Sequence, residues 1–165
     1  MWNKIYLIVL AAAVLIISVL TYLSYSWLTS IGSPLIAVDN YNHYSNLGWI
    51  FLWISAVILL VVGNVVLWTT RKPWALWTSL LYFAVFIVLQ TFWLEESFFD
   101  FKQHNNLANG AFSLSPFLGV GLIVLAAIIV FFNQFLVKRL HEKMYPPAQP
   151  IEPLPEESPI NKNLG

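Results

Sequence analysis

The sequence contains no cysteine. Disulfides, thiolate metal sites, thioether-linked haem and thiol redox chemistry are therefore excluded together. Charge is nearly as scarce. Asp, Glu, Lys and Arg make up 10% of the 165 residues, against about 25% in soluble domains. The formal net charge is zero, which argues against nucleic acid as a partner. No Gly-rich phosphate loop and no serine elbow occur, so nothing marks nucleotide binding or acyl transfer.

What fills the chain is apolar. Hydrophobic residues account for 59% of it, and the mean hydropathy is +0.72. Such a chain cannot cover a water-facing surface, so the lipid bilayer is its expected solvent and first partner.

Four stretches are long enough to cross a bilayer, which takes about 20 apolar residues each. They run near 5–28, 47–70, 74–94 and 116–137. The first is too long for the roughly 7–15 apolar residues of a cleaved signal peptide. Ser45 or Asn46 is placed to cap the second,. Pro73 opens the third and Ser115-Pro116 the fourth, because a first-turn proline lacks only an N–H that would be unpaired anyway. Thr70-Arg71-Lys72-Pro73 is then a very tight turn. The expected fold is an all-α integral membrane protein, an antiparallel bundle of four transmembrane helices spanning 1–144. The tail, 145–165, is rich in proline and glutamate. It has too little apolar surface to repay ordering and is expected to be disordered.

Lys and Arg orient the bundle. With four spans, Lys4, Arg71, Lys72, Lys138, Arg139, Lys143 and Lys162 share one side, and Lys102 alone takes the other. The positive-inside rule places both termini in the cytoplasm, in a multi-pass protein of the cell membrane. Trp2, Trp68, Trp74 and Trp77 fall at the inner boundary, with Trp27, Trp49 and Trp93 at the outer one. Indole rings favour those levels.

Helices in lipid associate through small residues and interhelical hydrogen bonds. The expected packing faces are Ser18, Tyr22, Tyr25, Ser26 and Thr29 in the first span, and Gly48, Ser55, Ala56 and Gly63 in the second. In the third they are Ala75, Ser79, Tyr82, Phe86, Gln90 and Trp93, and in the fourth Gly119, Ala126 and Asn133. Asn64, Gln90, Asn133 and Gln134 are the strongest polar groups within the spans and read as interhelical glue.

No Asp, Glu, Lys, Arg or His lies inside a span. Charges there cost roughly 2.5–3.5 kcal/mol each and are retained for function, so ion-coupled transport and voltage sensing are not indicated. His141, in the basic stretch, reads as a solvated surface residue. Outside the membrane, Glu96, Asp100 and His104 are spaced four apart, as are Asp39 and His43. On a continuous helix the first three share a face. Carboxylate and imidazole one turn apart suit a metal such as zinc, so Glu96, Asp100 and His104 form a candidate metal site, with His43 and Asp39 as further ligands. The plainer reading is a water-facing rim.

Three functions are compatible with these features. The leading one is an accessory or interaction subunit that packs with a membrane-protein partner or with its own copies, with no enzyme activity and no cofactor. The second is an outer-face protein binding metal or a small ligand through the carboxylate–histidine cluster. The third is a small permease for an uncharged solute, lined by Tyr22, Tyr25, Tyr82 and Gln90.

Overall fold

Within lipid no water is at hand to bond a backbone N–H or carbonyl, so a spanning segment must close its bonds internally. The chain does so with helices throughout. The computed structural model describes residues 1–107 and 115–145, and among them there is no strand. Helix α1 is Trp2–Leu28, α2 is Pro34–Thr70 and α3 is Trp74–Val88. A π-helical segment, Leu89–Leu94, joins α3 directly to α4, Glu95–His104. Helix α5 is Ser115–Met144. Four helices are long and apolar enough to cross a membrane, α3 to α4 counting as one. The expectation for the tail from 146 onwards lies outside the described residues.

Helix α2 begins well before the expected start near 47. Ser33 is its N-cap and Pro34 its first residue, so the expected caps Ser45 and Asn46 lie inside the helix. The region read as a long loop shrinks to five residues, 29–33. The extension is stabilised by an unbroken buried stripe: Ala37, Tyr41, Ser45, Gly48, Leu52 and Ser55, spaced by three or four. At about 1.5 Å per residue the 37 residues of α2 reach about 55 Å. The hydrocarbon is about 30 Å thick, so α2 projects well beyond it.

The turn between α2 and α3 is as tight as expected. Arg71 adopts a left-handed conformation, φ 58°, and its N–H bonds the Leu67 carbonyl at 2.8 Å. Pro73 caps α3 rather than opening it, a shift of one residue.

Helix α3 is the hub. It packs on α2, on α5 and on α1, while α1 packs chiefly on α2. Contacts fix the register. Tyr6 meets Ala75 and Thr21 meets Gln90, so residue numbers rise together along α1 and α3. Ser55 meets Tyr82 and Tyr41 meets Leu94, so they run oppositely along α2 and α3. Along α2 and α5 they rise together, through Asn64–Asn133 and Trp68–His141.

The expected faces hold for α2 and α5 and for most of α3. That of α1 does not. Its buried residues are Tyr6, Ala13, Ile17, Thr21 and Ser24, whereas Tyr22 is 68% exposed. Hydroxyls are poor guides to a face because a helix satisfies them itself. Ser24 Oγ donates to the Leu20 carbonyl and Ser26 Oγ to that of Leu23. On the third helix Trp93 is exposed and Leu94 is buried instead. The π segment is the reason: its wider turn carries the buried stripe forward in steps of four, through Phe86, Gln90, Leu94 and Phe98.

Close approach is sharpest at two glycines. A Cβ on Gly119 would stand 2.6 Å from Thr91 Oγ1, and one on Gly63 would stand 3.2 Å from Leu76 Cδ2. Thr91 is β-branched and bonded to the Ile87 carbonyl, so it cannot swing aside cheaply. Gly119→Ala and Gly63→Leu are expected to cost about 1–3 kcal/mol each by overpacking. Val61→Leu and Ile128→Leu, on exposed faces, should be neutral. Thermal unfolding in detergent checks this, and equal tolerance at all four positions would contradict the packing.

Candidate functional site

The carboxylate–histidine cluster lies at the end of the bundle away from the Arg71 turn. The helix does run unbroken from α3 to His104, and Asn105-Asn106 stops it, Asn106 taking φ 56°. Glu96, Asp100 and His104 all stand on α4 and are exposed, as are Asp39 and His43 on α2. His104 Nδ1 lies 2.8 Å from the backbone oxygen of Asp100, bonded within its own helix. The residues that meet between α2 and α4 are aromatic. Tyr41 stacks on Phe98 with ring centroids 3.9 Å apart, and Lys102 Nζ lies 4.4 Å from the centre of the Phe98 ring. Among the described residues, no three His, Asp or Glu side chains form a set able to hold one metal ion.

Along α3 runs a ladder of buried polar groups. Tyr6 donates its hydroxyl hydrogen to the Ala75 carbonyl at 2.6 Å and lies 2.9 Å from Ser79 Oγ. Ser55 and Tyr82 share a hydroxyl–hydroxyl bond of 2.8 Å. In the π segment Gln90 Nε2 donates to Thr21 Oγ1 at 3.2 Å, and Gln90 Oε1 is buried without a partner. These groups are hydroxyls and amides. They supply neither a strong base nor a nucleophile with a base beside it, and their bonds join α1, α2 and α3. The set expected to line a solute path is dispersed: Tyr22 is exposed, Tyr25 stacks on Trp93 at 4.8 Å, and Tyr82 and Gln90 bond different helices.

A third region was not legible as a site. The seam between α2 and α5 is crossed by a clasp, Asn133 Nδ2 donating to Asn64 Oδ1 at 2.6 Å. On one side of the clasp lies an apolar groove of about 170 Å³, floored by Ser79, Leu80 and Phe83 of α3. On the other lies a polar hollow of about 250 Å³, whose walls include Trp68, Arg71, Gln134, Lys138, His141 and Glu142. His141 is thus not a solvated residue. Its ring packs edge-on to Trp68 at 5.6 Å, and its Nε2 is buried without a partner, as is Gln134 Oε1. The signal available in sequence was the spacing of Gln134, Lys138 and His141, which places all three on one face of α5. Nothing in sequence told that Arg71 would face them from the turn.

No protein-family model matches the chain, and no curated protein and no solved structure is similar to it.

Two outcomes are expected of these geometries. Protein purified without a histidine tag should carry no stoichiometric zinc, and His104→Ala should change neither metal content nor stability. A bound ion lost in that variant would restore the metal reading. For the clasp, Asn64→Ala and Asn133→Ala should be non-additive, with a coupling of about 0.6–1.7 kcal/mol, the range of hydrogen bonds between membrane helices. A double-mutant cycle on unfolding free energy measures it, and strict additivity would mean that the two amides do not interact.

Proposed function

We propose that this chain is an accessory subunit of the cytoplasmic membrane. In this reading it is an antiparallel four-helix bundle with both termini in the cytoplasm. It packs through its last span against a larger membrane protein.

The observation that carries the reading is the lopsided seating of α5. In its most apolar stretch 11% of residues are buried, against 50% for the Trp74–His104 helix. Helix α5 rests on α3 and the π segment, and its other faces leave Leu125, Ile128, Phe131, Phe132 and Phe135 exposed. Lipid covers any apolar face, but flat, rigid aromatic rings are the groups that specific interfaces favour. The polar groups within the spans are engaged in holding helices together, which supports a packing role over a transport path. No reaction is assigned, because no arrangement of acid, base and nucleophile supports one.

The orientation is supported by the company that the basic residues keep. Tyr6 packs against Trp74 at 5.2 Å, and Arg71 and Lys138 line one hollow. The start of α1, the turn after α2 and the end of α5 thus share one end of the bundle, with Lys4, Lys72 and Arg139 beside them in sequence. Positive residues are retained on the cytoplasmic side.

Photo-crosslinkers at Phe132 and, as a comparison, at Ile8 on the exposed face of α1 test the partner. The expected result is one protein, captured at Phe132 and co-purifying in mild detergent at fixed stoichiometry, with lipid alone captured at Ile8. Lipid alone at both positions, on a monomeric protein, would remove the reading. A crosslink between two copies would replace the partner by self-association. A reporter inserted between Arg71 and Lys72 should read as cytoplasmic and one near Asn40 as external. The opposite result would invert the topology.

A further inference from the structure

We propose that the hollow at the basic end of the α2–α5 seam binds the headgroup of an anionic phospholipid, whose acyl chain lies along the apolar groove beyond the Asn64–Asn133 clasp. The proposal is independent of the accessory role and of which side of the membrane the basic end faces.

The hollow combines three things that a phosphate headgroup requires. The first is cationic charge held in place. Arg71 occupies the left-handed position that ends α2, fixed by its N–H bond to the Leu67 carbonyl and by the bond from Lys72 N–H to Thr70 Oγ1. Lys138 faces the same space from α5. Glu142 also lines it, leaving one net positive charge for a phosphodiester to neutralise. The second is unspent hydrogen-bonding capacity. His141 Nε2 and Gln134 Oε1 are both buried without partners. With its proton on Nε2, the imidazole donates to a phosphate oxygen. Gln134 Oε1 only accepts, so it asks for a donor on the same ligand. A glycerol headgroup, carrying hydroxyls beside its phosphate, satisfies both.

The third is depth. Trp68 forms part of the wall, and tryptophan marks the level of the headgroups. Val57 in the groove and Trp68 in the hollow lie on one helix. At about 1.5 Å per residue they are about 16 Å apart, close to half of the ~30 Å hydrocarbon thickness. A headgroup in the hollow thus places its acyl chain beside the groove within a single leaflet. Basic pockets between membrane helices are recurrent sites for anionic lipid.

The test uses full-length protein in mild detergent, titrated with phosphatidylglycerol, phosphatidylethanolamine or inorganic phosphate. Lipid adducts are read by native mass spectrometry and stabilisation by the shift in Tm. Wild-type protein should retain phosphatidylglycerol in preference to phosphatidylethanolamine and gain stability from it, with inorganic phosphate competing weakly. The double variant Arg71→Gln, Lys138→Gln should bind it about thirtyfold less tightly, as expected for two cations at a membrane surface. Arg139→Gln removes a cation that sits instead over the Phe135 ring, 4.8 Å from its centroid, and should leave binding unchanged. Equal retention of the two lipids by the wild type, or an equal loss from Arg139→Gln, would overturn the proposal. So would inorganic phosphate binding as tightly as the lipid, which would make the hollow a site for a free anion. The wild-type lipid comparison decides the matter even if the double variant fails to fold.

Discussion

The bundle depends on the hydrogen bonds made along one side of α3. Lipid tails are as apolar as leucine, so burying leucine against leucine gives membrane helices little reason to stay together. Direction has to come from groups that lipid cannot satisfy. Tyr6 reaches from α1 to the Ala75 carbonyl, Ser55 from α2 to Tyr82, and Gln90 back to Thr21. Each bond fixes a depth as well as a neighbour, and together they set the register of the first three helices. Glycines at the same level let the backbones close: Gly48 beside Gln90, Gly63 beside Ala75 and Gly119 beside Thr91. Helix α5 receives only the last of these contacts and the Asn64 clasp. It is the least enclosed span for that reason, and it is where the open seam and its two hollows lie.

The parts legible in the sequence are those governed by the solvent. Span number, the tight turn at Arg71 and the small-residue faces of α2 and α5 follow from hydropathy, proline placement and the need for close approach. Local competition hid the rest. Ser33-Pro34 is the same punctuation as Ser115-Pro116, yet Asp39, Asn40, Asn42 and His43 after it read as loop, because the buried stripe running through Ala37 and Tyr41 is thin. Tyr22 drew attention on α1 as a large polar ring, although it is exposed and Thr21 beside it is buried. The metal reading of α4 rested on spacing alone. Spacing places Glu96, Asp100 and His104 along a face but does not make them converge, since side chains one turn apart on a straight helix need a partner from another element. That partner position is taken by Tyr41, packed on Phe98.

The polar hollow was hidden for a different reason. Its walls come from a turn and from a helix that lie more than sixty residues apart in the chain, and each half alone resembles an ordinary basic flank. Only the parallel course of α2 and α5, set by Asn64 and Asn133, brings them face to face. A position that belongs to the positive-inside signal can thus also belong to a recognition surface, because the two demands ask for the same residue at the same depth.

The π segment gives the bundle a sensitivity to chain length. A wide turn of this kind holds one residue more than the α-helix that would replace it. Removing any single residue from Leu89–Leu94 would let the helix close regularly, and everything beyond would rotate by about 100°, the angle of one helical step. Phe98 would leave Tyr41, and the acids of α4 would swing towards α1 or α2. An amino-acid exchange in this stretch is a local event. A deletion there turns the whole outer end of the molecule while leaving the basic end, where α3 begins, in place.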